Sequence, residues 1–170
     1  MSATEAPRQP ASRTRIKICG LTRAGDVRAA ARLGADYLGF ILAPSPRRVT
    51  PERVAALTAG LSGRVQKVGV FVDAPLDEVI AAVATAGLDL VQLHGTEDEA
   101  YADRLTAAGI AYIKVLRLGR ERRPPAAAFP GAAALLFDTF LPDRAGGGGK
   151  VFDWSLVAGW SGPPSSWPAA

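Results

Sequence analysis

The chain has 170 residues, 48% hydrophobic and 21% charged, enough apolar material to bury one sizeable core at an ordinary charge content. Its one cysteine excludes an internal disulfide, one cysteine with one histidine excludes a Cys/His zinc site, and no run reaches the roughly 18 apolar residues of a membrane span. The formal net charge of +4 rests on scattered arginines, and the densest cluster, "RLGRERRPP" (117–125), has no interleaved aromatic residue of the kind that stacks on nucleotide bases.

In chain order, residues 1–14 carry Pro, Ser, Thr and Arg without the apolar core of a signal peptide, and read as a disordered tail on a cytoplasmic protein. From residue 15 to about 160 a single domain is expected. Apolar runs suited to strands occupy 15–19, 37–42, 67–72, 90–94, 111–118 and 134–139, with helix-like stretches between most of them. The runs recur at intervals of roughly 20–30 residues, which is a βα period. Three of the intervening helices end alike. "AARLGADYLGF", "VATAGLDLVQL" and "LTAAGIAYIKV" each place a glycine (Gly34, Gly87, Gly109) just before the next strand, the position of a left-handed helix cap. In "VTPER", Thr50 is placed to cap a helix whose first residue is Pro51. The basic cluster at 117–125 reads as a loop, with an anionic small molecule rather than nucleic acid as the partner that gains from the charge.

Near-continuous apolar strands alternating with helices mean a parallel α/β sheet covered on both faces. Two architectures remain, a doubly wound open sheet and a (β/α)8 barrel; a barrel normally has eight strands and about 250 residues, so the count favours the open sheet. The strand ends favour the barrel. Cys19, Asp73, His94 and Asp138 all fall at or just past the ends of strand-like runs, and in a barrel those ends ring a single mouth. "CGLTRAGD" lacks the glycine fingerprint of a dinucleotide fold, and "RAGGGGKVFDW" does not meet the spacing of a phosphate-binding P-loop. Each polar residue also has a plainer reading. Cys19 is either packing or chemistry, Asp138 either an acid or a turn cap, and Lys17, on the same strand face as Cys19, either its cationic neighbour or a solvated charge. His94 and Asp73 are rim residues of the same mouth.

These motifs in this order, "KICGLT", "GFILAPSPRRVTPE", "VGVFVD", "VQLHG", "LLFDT" and "GGGGKVFDW", resemble those of the phosphoribosylanthranilate isomerases of tryptophan biosynthesis. The resemblance covers about residues 14–158. It implies a (β/α)8 TIM barrel, here with about six βα units, and an Amadori rearrangement of N-(5-phosphoribosyl)anthranilate with no metal or cofactor. By resemblance Asp138 is the general acid that opens the furanose ring and Cys19 the base that removes the C2 proton. A carboxyl that donates at neutral pH must hold its proton, which Leu136 and Phe137 would favour by desolvation. Arg47 matches the arginine that grips the anthranilate carboxylate, although its neighbour Arg48 stands where the family often has an aromatic residue. Lys17, Asp73, His94, Gly148 and Gly149 are the further substrate-binding expectations, with Lys150 and its preceding glycines ordering over the substrate.

The resemblance stops after "FDWSLVAGW". The chain continues "SGPPSSWPAA" where the family has two more strands and the glycine-rich backbone that holds the substrate phosphate. One admissible back-translation of "GWSGPPSSWPAA" reads "LVGAPFVLAGG" in another frame, similar to the family's seventh strand and phosphate loop. Residues 161–170 are thus expected to be a frame-shifted tail, with strands 7 and 8 missing. Such an arc would have open edges, would fold poorly and turn over little alone, and would self-associate or bind a partner chain through those edges. The alternatives to an active isomerase are such a non-catalytic fragment and a different phosphosugar barrel isomerase or epimerase.

Overall fold

The computed structural model describes residues 13–61, 65–118, 129–139 and 155. Along them run β1 (Lys17–Cys19), α1 (Ala24–Arg32), β2 (Tyr37–Ile41), α2 (Pro51–Thr58), β3 (Gln66–Phe71), α3 (Leu76–Ala86), β4 (Leu90–Leu93), α4 (Glu99–Ala107), β5 (Tyr112–Leu118) and β6 (Ala134–Thr139). The six strands form one parallel sheet in the order β1-β2-β3-β4-β5-β6. A doubly wound sheet reverses direction at a switch point; this sheet never does, and its sequential order is that of a (β/α)8 barrel. Among the described residues β1 pairs only with β2, and β6 only with β5.

The helix ends follow the local chemistry. Gly34, Gly87 and Gly109 adopt φ of +87°, +59° and +74°. Behind each lies the same closing bond, from Ala35 N–H to Ala30 O, Leu88 N–H to Val83 O and Ile110 N–H to Leu105 O, which satisfies a carbonyl the helix would otherwise leave open. Thr50 Oγ1 accepts from Arg53 N–H at 3.2 Å and Pro51 opens α2, as the sequence indicates.

Register separates the two faces of the sheet. Cα partners in a parallel sheet point the same way and neighbours along a strand point oppositely. Lys17 lies beside Tyr37, Cys19 beside Gly39, Gly39 beside Val68, Val70 beside Gln92, Gln92 beside Ile113, and Arg117 beside Asp138. On this inner face Tyr37, Val68, Leu90, Ile113 and Ala134 form a core with no helix residue in it. The outer face, with Leu38, Phe40, Phe71, Val91, Leu93 and Leu135, packs against Val27 of α1, Val54 of α2, Val79 of α3 and Leu105 of α4. Each of these four anchors is fully buried, stabilising its helix on the sheet by about 1.5–3 kcal/mol.

Arg117, which falls in the strand-like run 111–118 and also opens the basic cluster read as a loop, belongs to β5, and its guanidinium donates to His94 O. Residues 119–128, residues 1–12 of the N-terminal tail, Gly148, Gly149, Lys150 and the C-terminal tail lie outside the described residues, while Arg13 of the tail pairs with Asp36. Among those described, no helix is long and apolar enough to cross a membrane.

Candidate active site

The C-terminal strand ends carry the polar side chains, and the inner-face parity decides which of them meet. Lys17 and Cys19 alternate with Ile18 on β1 and so both face inward. What gives them room is Gly39 on β2: a Cβ there would stand 2.7 Å from Cys19 Sγ and 2.9 Å from Lys17 Nζ. Thiol and ammonium therefore sit over the same glycine. Gly39→Ala is expected to cost about 1–3 kcal/mol through overpacking and to displace both groups. The rate at which an alkylating reagent modifies Cys19, the one thiol of the chain and an exposed one, checks the displacement.

Arg47 and Arg48 diverge. Arg47 is turned to the end of β1, where its guanidinium lies against Gly20 and Nη1 is 3.5 Å from Cys19 O. Arg48 instead lines a separate cavity of about 520 Å³ beside Glu52 of α2 and Glu78 of α3. Arg47 lies in a turn, with its own N–H on Ser45 Oγ at 3.2 Å and the N–H of Arg48 on Ser45 O at 3.0 Å, while Arg48 leaves that turn through an isolated parallel bridge to Ile41.

Across the mouth, His94 follows β4 and Asp138 sits in β6. His94 N–H donates to Phe71 O and its carbonyl accepts from Arg117. Its ring is held at both nitrogens, Nδ1 by Gln92 Nε2 at 3.1 Å and Nε2 by Asp138 Oδ2 at 3.2 Å. Burial pushes the imidazole below its ordinary 6.5; the hydrogen bond and charge of Asp138 pull the other way, and the positive charges of Arg117 and Lys17 add to the lowering. At neutral pH the contact with Asp138 is therefore a hydrogen bond to a neutral ring rather than an ion pair. That Lys17 acts on His94 from three strands away ties the β1 end to the β4 and β6 ends.

The shift has a sign for stability. Folded, His94 takes a proton less readily than when unfolded, so its contribution is constant above pH 6.5 and is lost as pH falls from there through the lowered value. Urea unfolding at stepped pH is expected to show a steeper fall in the wild type than in His94→Gln over that window.

Asp73 is used differently from the other rim residues. It stands at φ +49°, its Oδ1 accepts from Thr96 N–H at 2.6 Å and Oγ1 at 2.9 Å, and its own N–H donates to Glu97 Oε1 at 2.9 Å. It thereby clamps the loop after β4 to the loop after β3. Behind this clamp lies a buried pair that sequence reading missed: Lys114 Nζ is 2.7 Å from Glu97 Oε2, with side chains 4% and 2% exposed. Lys114 also donates to Gly95 O, while Gly95 N–H donates to Glu97, so the residue after His94 is held at both its backbone groups. A signal existed, since a lysine amid an apolar parallel strand demands a buried partner.

The family model described as N-(5'phosphoribosyl)anthranilate (PRA) isomerase matches residues 16–164. The chain belongs to that family. The N-(5'-phosphoribosyl)anthranilate isomerase of Symbiobacterium thermophilum is 46% identical over 143 residues, which are 84% of this chain and 63% of that protein. The phosphoribosyl anthranilate isomerase structure from Thermus thermophilus superposes with a TM-score of 0.75 at 36% identity, over 85% of this chain and 70% of that one. Another isomerase of the family, solved in complex with reduced 1-(o-carboxyphenylamino)-1-deoxyribulose 5-phosphate, gives a TM-score of 0.70 at 30% identity, over 87% of this chain and 70% of that one. The chain thus spans about two thirds of the length of these isomerases. Against that family background, the described mouth presents the Cys19 thiol, the Asp138 carboxyl group, the His94 imidazole and the cations Lys17, Arg47 and Arg117, groups able to move protons on an anionic substrate.

Proposed function

We propose that the chain is an isomerase that converts N-(5-phosphoribosyl)anthranilate to 1-(2-carboxyphenylamino)-1-deoxyribulose 5-phosphate, in tryptophan biosynthesis and in the cytoplasm. Asp138 protonates the furanose oxygen, the C1–O bond breaks, and the anilino nitrogen becomes the imine. Cys19 thiolate takes the C2 proton, and the resulting enol amine tautomerises to the ketone product, so the rearrangement consumes and releases no net proton. Lys17 stands beside the thiol over Gly39. Arg47 pairs with the anthranilate carboxylate in the planar geometry that suits a guanidinium. His94 holds Asp138.

The observation that carries the reading is the inward-facing pair itself, Cys19 on β1 and Asp138 on β6, within a chain of the isomerase family. The test is growth of a tryptophan auxotroph lacking this isomerase when it expresses the full chain, with substrate conversion by the purified protein as the second readout. Measurable conversion and growth are expected, at a reduced rate because β1 and β6 are edge strands among the described residues; a folded chain that supports neither overturns the proposal.

A further inference from the structure

Gln92 is 3% exposed on the inner face of β4, two residues before His94 in the "VQLHG" motif, and no role has been given to it above. Its Nε2 meets His94 Nδ1 at 3.1 Å, and its Oε1 is buried with no hydrogen-bond partner among the described residues. An acceptor left so has lost its water without a replacement, which calls for a reason. The ring supplies it. Asp138 Oδ2 lies 3.2 Å from Nε2; with that oxygen as the acceptor, the single proton of the neutral ring belongs on Nε2 and Nδ1 is a bare acceptor. Only the amide NH2 suits a bare Nδ1; turning the amide over would set Oε1 against a second acceptor and strand Nε2 in its place. The other groups facing the ring are Arg117 from β5 and Lys17 from β1, both cationic, and neither offers an acceptor that would draw the proton to Nδ1.

We propose that Gln92 is a positioning residue that locks His94 in its Nε2–H tautomer, so that the ring donates to Asp138 Oδ2. This rests on the general-acid role proposed for Asp138, and it makes the deeper pair, Gln92 and His94, the device that orients the Asp138 carboxyl group.

His94 is the one histidine of the chain, so its ring nitrogens are observed without ambiguity in the 15N-labelled full chain. A long-range 1H–15N correlation above pH 6.5 is expected to show Nε2 protonated and Nδ1 bare in the wild type. Asp138→Asn is expected to keep that tautomer, because Gln92 still donates to Nδ1. Gln92→Glu, whose carboxylate only accepts, is expected to protonate Nδ1 and raise the His94 midpoint by about one to three pH units. A protonated Nδ1 in the wild type, a tautomer that switches in Asp138→Asn, or a bare Nδ1 in Gln92→Glu overturns the proposal. The wild-type and Asp138→Asn spectra decide it if Gln92→Glu does not fold. Because the readout is a spectrum and not a rate, an inactive chain with the expected tautomers overturns the proposed activity and not the role of Gln92 in holding the ring.

Discussion

Asp138→Asn and Cys19→Ala are each expected to lower kcat by roughly two to four orders of magnitude, the range by which positioned acids and bases accelerate proton transfer. The two variants separate the half-reactions. Asparagine keeps the shape of the carboxyl and an oxygen for His94 Nε2 but has no acidic proton for the ring oxygen, so ring opening is lost. Alanine at Cys19 removes the acceptor for the C2 proton. Cys19 is exposed, so its replacement is expected to change stability by less than about 0.5 kcal/mol. Loss of turnover with unchanged unfolding curves is then a statement about chemistry. A loss below tenfold in either variant would remove that residue from the mechanism.

The largest effect on stability is expected at the buried pair behind the rim. Glu97→Ala leaves the Lys114 ammonium without its carboxylate, and Lys114→Ala leaves Glu97 without its cation; each is expected to cost about 3–5 kcal/mol because an uncompensated charge remains inside. Glu97→Ala also strands the N–H groups of Asp73 and Gly95. The double change Glu97→Gln with Lys114→Met removes both charges, keeps an acceptor for those amides and nearly preserves volume, so it is expected to be much milder than either alanine. Urea midpoints at an unchanged slope measure all three. If the single alanine variants unfold within about 1 kcal/mol of the wild type, the pair does not hold the loops after β3 and β4.

Much of this was legible in the chain because it is written within a dozen residues at a time. Strand-like runs at 37–42 and 134–139 became β2 (Tyr37–Ile41) and β6 (Ala134–Thr139). The glycines after α1, α3 and α4 took the positive φ that the helix ends require, and Thr50 capped α2. Cys19 and Asp138 could be placed at strand ends for the same reason, since an apolar run and its first polar residue are local facts. Strand order is not local. A doubly wound sheet and a barrel use the same βα units with the same caps, and only pairing between segments far apart in the chain distinguishes β1-β2-β3-β4-β5-β6 from a sheet that turns back.

The same division runs through the site. Arg47 and Arg48 are chemically alike and adjacent, and which one turns to Cys19 depends on a turn closed on Ser45 and the bridge from Arg48 to Ile41 that follows it. Lys114 announced its need for a partner but not that Glu97 would meet it, and Gln92 stood in "VQLHG" without showing that it would meet His94. Residue type and spacing determined which chemical groups this protein has and on which elements they stand. Tertiary structure decided which of them touch, because contact across a curved sheet depends on register and on the side of the strand each residue faces, and a shift of one position reverses both.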